Sequence, residues 1–181
     1  MEKLSLQLNR LLKSCGILFL AISLTGCPGE EDCNDIESTT KVDNLISITP
    51  LKEIYNKGEN IIYKIEIPSE NMYFNKVVNL YENTKDNNGF LLTSYSNLFL
   101  ENNLNFVSGS QGSEINWFNV AYDPLTKNYN LEIEITLNKV GEYALYTNEY
   151  ILFQGASECN FYRINTNISQ TDNGKIEFTV E

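Results

Sequence analysis

The sequence predicts an all-β protein, an antiparallel β-sandwich with extra strands or hairpins, and three observations carry that expectation. From Val42 onward apolar and polar residues alternate and no stretch sustains a helical period, the pattern of strands that bury one face. Turn-forming Asn, Asp and Gly punctuate the runs, as in Asp86-Asn87-Asn88-Gly89 and Asp172-Asn173-Gly174. Aromatic residues are numerous, with 11 Tyr, 9 Phe and 1 Trp in 181 residues, and sheets favour such side chains on their inner faces.

Along the chain, the first strand candidate is 45–48. The next places Ile61, Tyr63, Ile65 and Ile67 on one face. Shorter apolar runs at 77–81, 90–92, 98–100, 104–107 and 115–120 follow, with Ser108-Gly109-Ser110-Gln111-Gly112-Ser113 as a flexible loop. The clearest strand sets Tyr129, Leu131, Ile133, Ile135 and Leu137 against Asn130, Glu132, Glu134, Thr136 and Asn138. Runs at 143–153 and 161–168, then Ile176, Phe178 and Val180, complete a set of about ten strands, as a sandwich requires. Helix is expected to be almost absent from 42–181, and no internal repeat or later linker divides that stretch.

One local pattern reaches further. Leu131-x-Ile133-x-Ile135-x-Leu137, followed by Gly141-Glu142-Tyr143-Ala144-Leu145, resembles the E-to-F corner of immunoglobulin-like and fibronectin type III-like domains. The segment from Thr49-Pro50 through Tyr55-Asn56-Lys57-Gly58-Glu59 is similar to their A-to-B passage. The resemblance implies an immunoglobulin-like fold in which the Tyr143 hydroxyl returns to backbone near the corner. Leu145 stands where antibody domains carry a cysteine, and Trp117 falls later than their strand C tryptophan. The domain is longer than the roughly 100 residues of a minimal module, so extra strands are expected between Tyr81 and Asn128.

The N-terminus reads as a targeting segment. Lys3, Arg10 and Lys13 precede an uncharged run, 14–29, whose 16 positions include Ser, Thr and Gly. A transmembrane helix needs about 20 predominantly apolar residues, so an uncleaved anchor is the poorer reading. Leu24-Thr25-Gly26-Cys27 resembles the bacterial lipobox, which implies cleavage of 1–26 and diacylation of Cys27. The mature chain would then hold 155 residues, ten basic and 23 acidic, with a net charge of −13. It would be anchored to a membrane through lipid without spanning it. Cys27-Pro28-Gly29-Glu30-Glu31-Asp32 resembles the surface-export signal of Bacteroidota lipoproteins, and Pro28 fits outer-membrane sorting. That resemblance implies the cell outer membrane and an outward-facing domain. The plain physical reading of 27–41 is an acidic tether held extended by its charges. Only Cys33 and Cys159 then remain as thiols, and in an oxidising compartment they form either a disulfide or two free thiols.

Little in the domain suggests chemistry. A formal charge of −11 repels phosphate backbones and excludes a basic nucleic-acid binder. The absence of histidine removes the Ser/His/Asp, Cys/His and HExxH systems, and no metal or cofactor is expected. Glu132 and Glu134 share one strand face about 7 Å apart, within reach of glycosidase geometry, although a solvated outer face carries the same pattern. Asp86-Asn87-Asn88-Gly89 hints at a calcium loop but lacks its later ligands, so a hairpin turn is the simpler reading.

The candidate binding surface is Trp117, Phe118, Asn119 and Tyr122, with Asn116 and Asp123 beside them. Successive strand residues face opposite ways, so Trp117 or Phe118 must point outward, and an aromatic platform flanked by amides suits a sugar ring. The competing reading covers that face with another strand. The leading functional expectation is a noncatalytic, lipid-anchored binding or assembly module of the envelope, with a glycan or another envelope protein as partner. The alternative is an envelope glycoside-processing enzyme that uses carboxylates alone.

Overall fold

In the computed structural model, residues 36–146, 149–154, 160–169, 171 and 175–181 are described. The strands are β1 (Ile36–Lys41), β2 (Ile46–Thr49), β3 (Ile54–Tyr55), β4 (Asn60–Pro68), β5 (Glu70–Tyr73), β6 (Lys76–Asn79), β7 (Asn88–Leu92) and β8 (Asn103–Ser108). They continue with β9 (Ser110–Gln111), β10 (Trp117–Asp123), β11 (Asn128–Thr136), β12 (Gly141–Tyr146), β13 (Glu149–Gln154), β14 (Asn160–Thr166) and β15 (Lys175–Val180). Two short helices interrupt them, α1 (Leu80–Thr84) and α2 (Asn97–Glu101).

Alternation in the sequence becomes alternation of burial. Tyr129, Leu131, Ile133 and Ile135 of β11 are fully buried, as are Ile61, Tyr63, Ile65 and Ile67 of β4, and the two strands pair antiparallel along their whole length. They lie in a large sheet of order β1-β14-β13-β7-β10-β11-β4-β2. The ribbon β8–β9 fills a fork in this sheet, pairing first with β11 and then with β10. Beyond β14, Ile168 bridges Ile46 of β2, so the sheet curls back toward its own first strands. A smaller sheet, β12-β15-β3, contributes Tyr55, Tyr143, Leu145, Ile176, Phe178 and Val180 to the same buried cluster. The result is an all-β sandwich with one continuous core.

The tyrosines tie corners as well as filling the core. Tyr143 Oη donates to the Lys139 carbonyl at 2.9 Å where the chain passes from the large sheet to the small one. Tyr55 donates to the Pro50 carbonyl at 2.6 Å, and Tyr73 to that of Pro68 at 2.5 Å. Each ring thus buries its apolar body while its hydroxyl keeps a partner.

Four sequence expectations need correction. Parts of 77–81 and 98–100 are helical, because Asn79 Oδ1 accepts from the Glu82 amide at 3.0 Å and Ser96 Oγ from the Leu98 amide at 3.2 Å. These caps initiate single turns too short to display a period. The sheets are mixed, since β1 pairs parallel with β14 and β15 parallel with β3. The run 143–153 is two strands, β12 and β13, in different sheets. Finally, the folded unit begins before Val42, because 36–41, read as tether, forms β1. The extra strands or hairpins expected between Tyr81 and Asn128 are β7, β8, β9 and β10, with the unexpected helix α2 between β7 and β8.

Candidate functional site

β10 divides the aromatic patch between its two faces. Trp117 is 38% exposed, whereas Phe118 is fully buried with its ring edge-on to Phe99 of α2, centroids 5.1 Å apart. Tyr122 shares the inner side, where it stacks on Tyr81 at 4.0 Å, and so belongs to the core edge. Asn119 faces outward with Trp117 and donates to Ser110 Oγ at 2.8 Å. Asn116 donates to the Thr93 carbonyl at 3.3 Å. Asp123 accepts from the Leu125 amide and the Thr126 hydroxyl; these bonds, the amide first, lower its pKa and make it a turn residue. Of the predicted surface residues, Phe118 and Tyr122 are therefore structural, and Trp117 and Asn119 remain on the outer face.

Strand register supplies neighbours that sequence proximity did not suggest. Leu92 of β7 stands opposite Trp117 on one side and Tyr150 of β13 on the other. Phe90 likewise lies between Asn119 and Leu152. Phe90, Leu92, Trp117, Tyr150 and Leu152 line one shallow apolar groove. A signal for this was present: 90–92 and 150–153 are unbroken apolar or aromatic runs, as expected of strands with apolar side chains on both faces.

The two rows continue across β14 and β1. Tyr150 faces Asn165 and then Lys41, while Leu152 faces Arg163 and then Thr39. The Arg163 guanidinium lies 3.8 Å from the Tyr150 ring centroid, and its Nε donates to Asn165 Oδ1 at 3.1 Å. Lys41, Glu149, Tyr150, Arg163 and Asn165 are among the residues that line a pocket of about 350 Å³. Tyr150 belongs to both the apolar groove and this polar pocket.

The platform is braced from behind its strand. Gly112 and the Gln111 side chain both donate to the Trp117 carbonyl, at 2.8 and 2.9 Å. A Cβ at Gly112 would lie 2.8 Å from that oxygen, so the close approach requires glycine. The stretch read as a flexible loop therefore holds β9 and the start of β10 in place.

Candidate catalytic carboxylates are occupied differently. Glu134 Oε1 accepts from Asn60 at 2.8 Å and its Oε2 from Asn105 at 3.3 Å, an amide ladder linking β4, β11 and β8. Asp86 Oδ1 accepts from the Asn88 amide at 3.0 Å in a turn between α1 and β7, which replaces the expected hairpin. Among the described residues, no cluster of three or more acidic or cysteine side chains suits a metal ion. Cys27, Cys33, Cys159 and the turn 172–174 lie outside the described residues.

No family model and no curated protein matches this chain. Among solved structures it is similar to a non-cellulosomal cohesin from the hyperthermophilic archaeon Archaeoglobus fulgidus, at 10% identity, covering 71% of this chain and 94% of that chain with a TM-score of 0.24.

Proposed function

We propose that this chain is a noncatalytic, lipid-anchored module of the bacterial outer membrane, facing outward, that binds carbohydrate on the outer face of β10, β7 and β13. The observation that carries the binding reading is the placement of Trp117 and Tyr150 on either side of Leu92, on one face and outside the core. Flat aromatic rings flanked by amides complement pyranoses, whose faces are apolar and whose edges are hydroxyls. The anchor rests on the lipobox-like Leu24-Thr25-Gly26-Cys27 and the acidic stretch behind it.

Trp117 is the sole tryptophan, so selectively excited tryptophan fluorescence of the mature protein reports on this face. Titration with neutral and acidic oligosaccharides is expected to shift its emission. Trp117→Ala is expected to weaken binding as measured by calorimetry, and an affinity unchanged by this substitution overturns the assignment of the face. Cys27→Ser is expected to abolish lipid labelling, and unchanged labelling overturns the anchor.

A further inference from the structure

We propose that one end of the sandwich is a lipid-facing surface, where the exposed side chains of Met72, Val77 and Leu125 dip into a zwitterionic bilayer; this rests on the reading of Cys27 as the lipid anchor. The first argument is where the chain enters the fold. Following the pairings from β4 to β1, one rim of the large sheet collects the end of β4 at Pro68 and the end of β10 at Asp123. The same rim holds the starts of β7 at Asn88, β14 at Asn160 and β1 at Ile36. Only eight residues, 28–35, separate Cys27 from Ile36. Whatever path they take, a chain of that length holds the rim within about 30 Å of the acyl chains.

What that rim displays is the second argument. The hairpin β5–β6 closes it, its base joined to the next turn by the Ser69 amide donating to the Lys127 carbonyl at 2.9 Å and its tip ring, Phe74, 5.6 Å from Tyr162. Tyr73 and Val78 point into the core, so their strand neighbours Met72 and Val77, directly opposite each other, turn outward and are 65% and 70% exposed. Leu125 is 93% exposed on the turn after β10, and that turn is fixed by bonds from the Leu125 amide and the Thr126 hydroxyl to the Asp123 carboxylate, each 2.9 Å. Lys76 and Lys127 flank these apolar tips and can keep their ammonium groups in the headgroup layer, where Glu70 also stays hydrated. The net charge of −13 on the mature chain disfavours anionic headgroups, so zwitterionic lipid is the fitting partner. So short a tether raises the local concentration of lipid enough for three apolar side chains to seat the domain. Trp117 lies six residues along β10 from Asp123, about 20 Å, so the groove stands clear of the bilayer.

The test moves the single tryptophan. Leu125→Trp and Met72→Trp are each made together with Trp117→Phe, and the acylated mature proteins are reconstituted into phosphatidylcholine vesicles with plain or brominated acyl chains, bromine quenching only emission from rings that reach the lipid. Thermal melts confirm that each variant is folded. Both relocated tryptophans are expected to shift to shorter wavelength on the vesicles and to lose more than half of their emission to bromine, while Trp117 in the parent keeps its emission. Acylated, vesicle-bound protein in which either relocated tryptophan is quenched no more than Trp117 overturns the lipid-facing surface and leaves the anchor standing. A blue shift that needs no vesicles and grows with protein concentration marks a second copy as the occupant and overturns it too. Absence of acyl chains from Cys27 by mass spectrometry overturns the anchor, and this inference with it.

Discussion

Glu149 is 1% exposed, and its Oε2 accepts the Tyr63 hydroxyl at 2.6 Å while Oε1 has no hydrogen-bond partner among the described residues. Burial raises its pKa from 4.5 to about 8, against the lowering effect of the Tyr63 hydrogen bond. Between those values the folded protein keeps a proton that the unfolded chain has released, so stability falls as pH rises from 4.5 to about 8. At roughly 1.4 kcal/mol per unit, the loss across that window reaches about 4 to 5 kcal/mol. Glu149→Gln keeps an acceptor for Tyr63 and cannot ionise. Urea unfolding at pH 5 and pH 8.5 should show the variant gaining on the parent as pH rises, and parallel pH profiles would refute the assignment. Truncation separates two adjacent aromatics by the same logic of burial. Phe118→Ala should cost about 3 to 5 kcal/mol through lost transfer energy and a cavity, whereas Trp117→Ala should cost about 1 kcal/mol. Equal losses in chemical denaturation would place both rings in the core.

At the scale of elements, the ribbon β8–β9 decides whether β10 sits where the groove needs it. Gly109 turns the ribbon with φ +75°, and a Cβ there would lie 2.4 Å from the Asn119 carbonyl oxygen and 2.6 Å from Leu131 Cδ1. Both the left-handed backbone and the contact with neighbouring backbone penalise a side chain. Gly109→Ala should therefore cost about 2 to 4 kcal/mol, and it should also weaken ligand binding by displacing β9 from Asn119. Stability and affinity measured together check this, and a silent substitution would show that the fork adapts freely. The two helices act as plugs: Phe99 of α2 reaches Tyr63 at 5.4 Å and Phe118 at 5.1 Å, and so joins β4 to β10 through the core.

At the scale of the whole molecule, β1 runs parallel to β14 with Ile36 opposite Asn160. Cys33 and Cys159 lie three and one residues upstream of that paired position. A disulfide between them, expected from cysteine arithmetic outside the cytosol, would close a loop of more than 100 residues. The chain-entropy model assigns such a loop about 4 to 5 kcal/mol. Nonreducing mass spectrometry of the mature protein should find it lighter by two hydrogens than its reduced form, and two alkylatable thiols without reductant would refute the link. The bond would fasten the acidic stretch behind Cys27 to the edge of the large sheet.

What the sequence determined by itself was local. Period-two patterning in β4 and β11 dictated strands and their buried faces, because a pleated chain sends alternate side chains to opposite sides. The same rule required that Trp117 and Phe118 part company. Only the tertiary structure decided which faces out and what stands beside it. Trp117, Leu92 and Tyr150 become neighbours through pairings between residues 25 to 58 positions apart, and a periodic pattern carries no information on partner choice. For the same reason Ile36–Lys41 gave no strand signal, since that segment is a strand only because β14 offers it an edge. The five-residue helices were hidden by length, their caps counting for more than any period. Arg163 joined the site last, carried beside Tyr150 by the register of β13 on β14, a long-range match set by packing of the opposite, buried face.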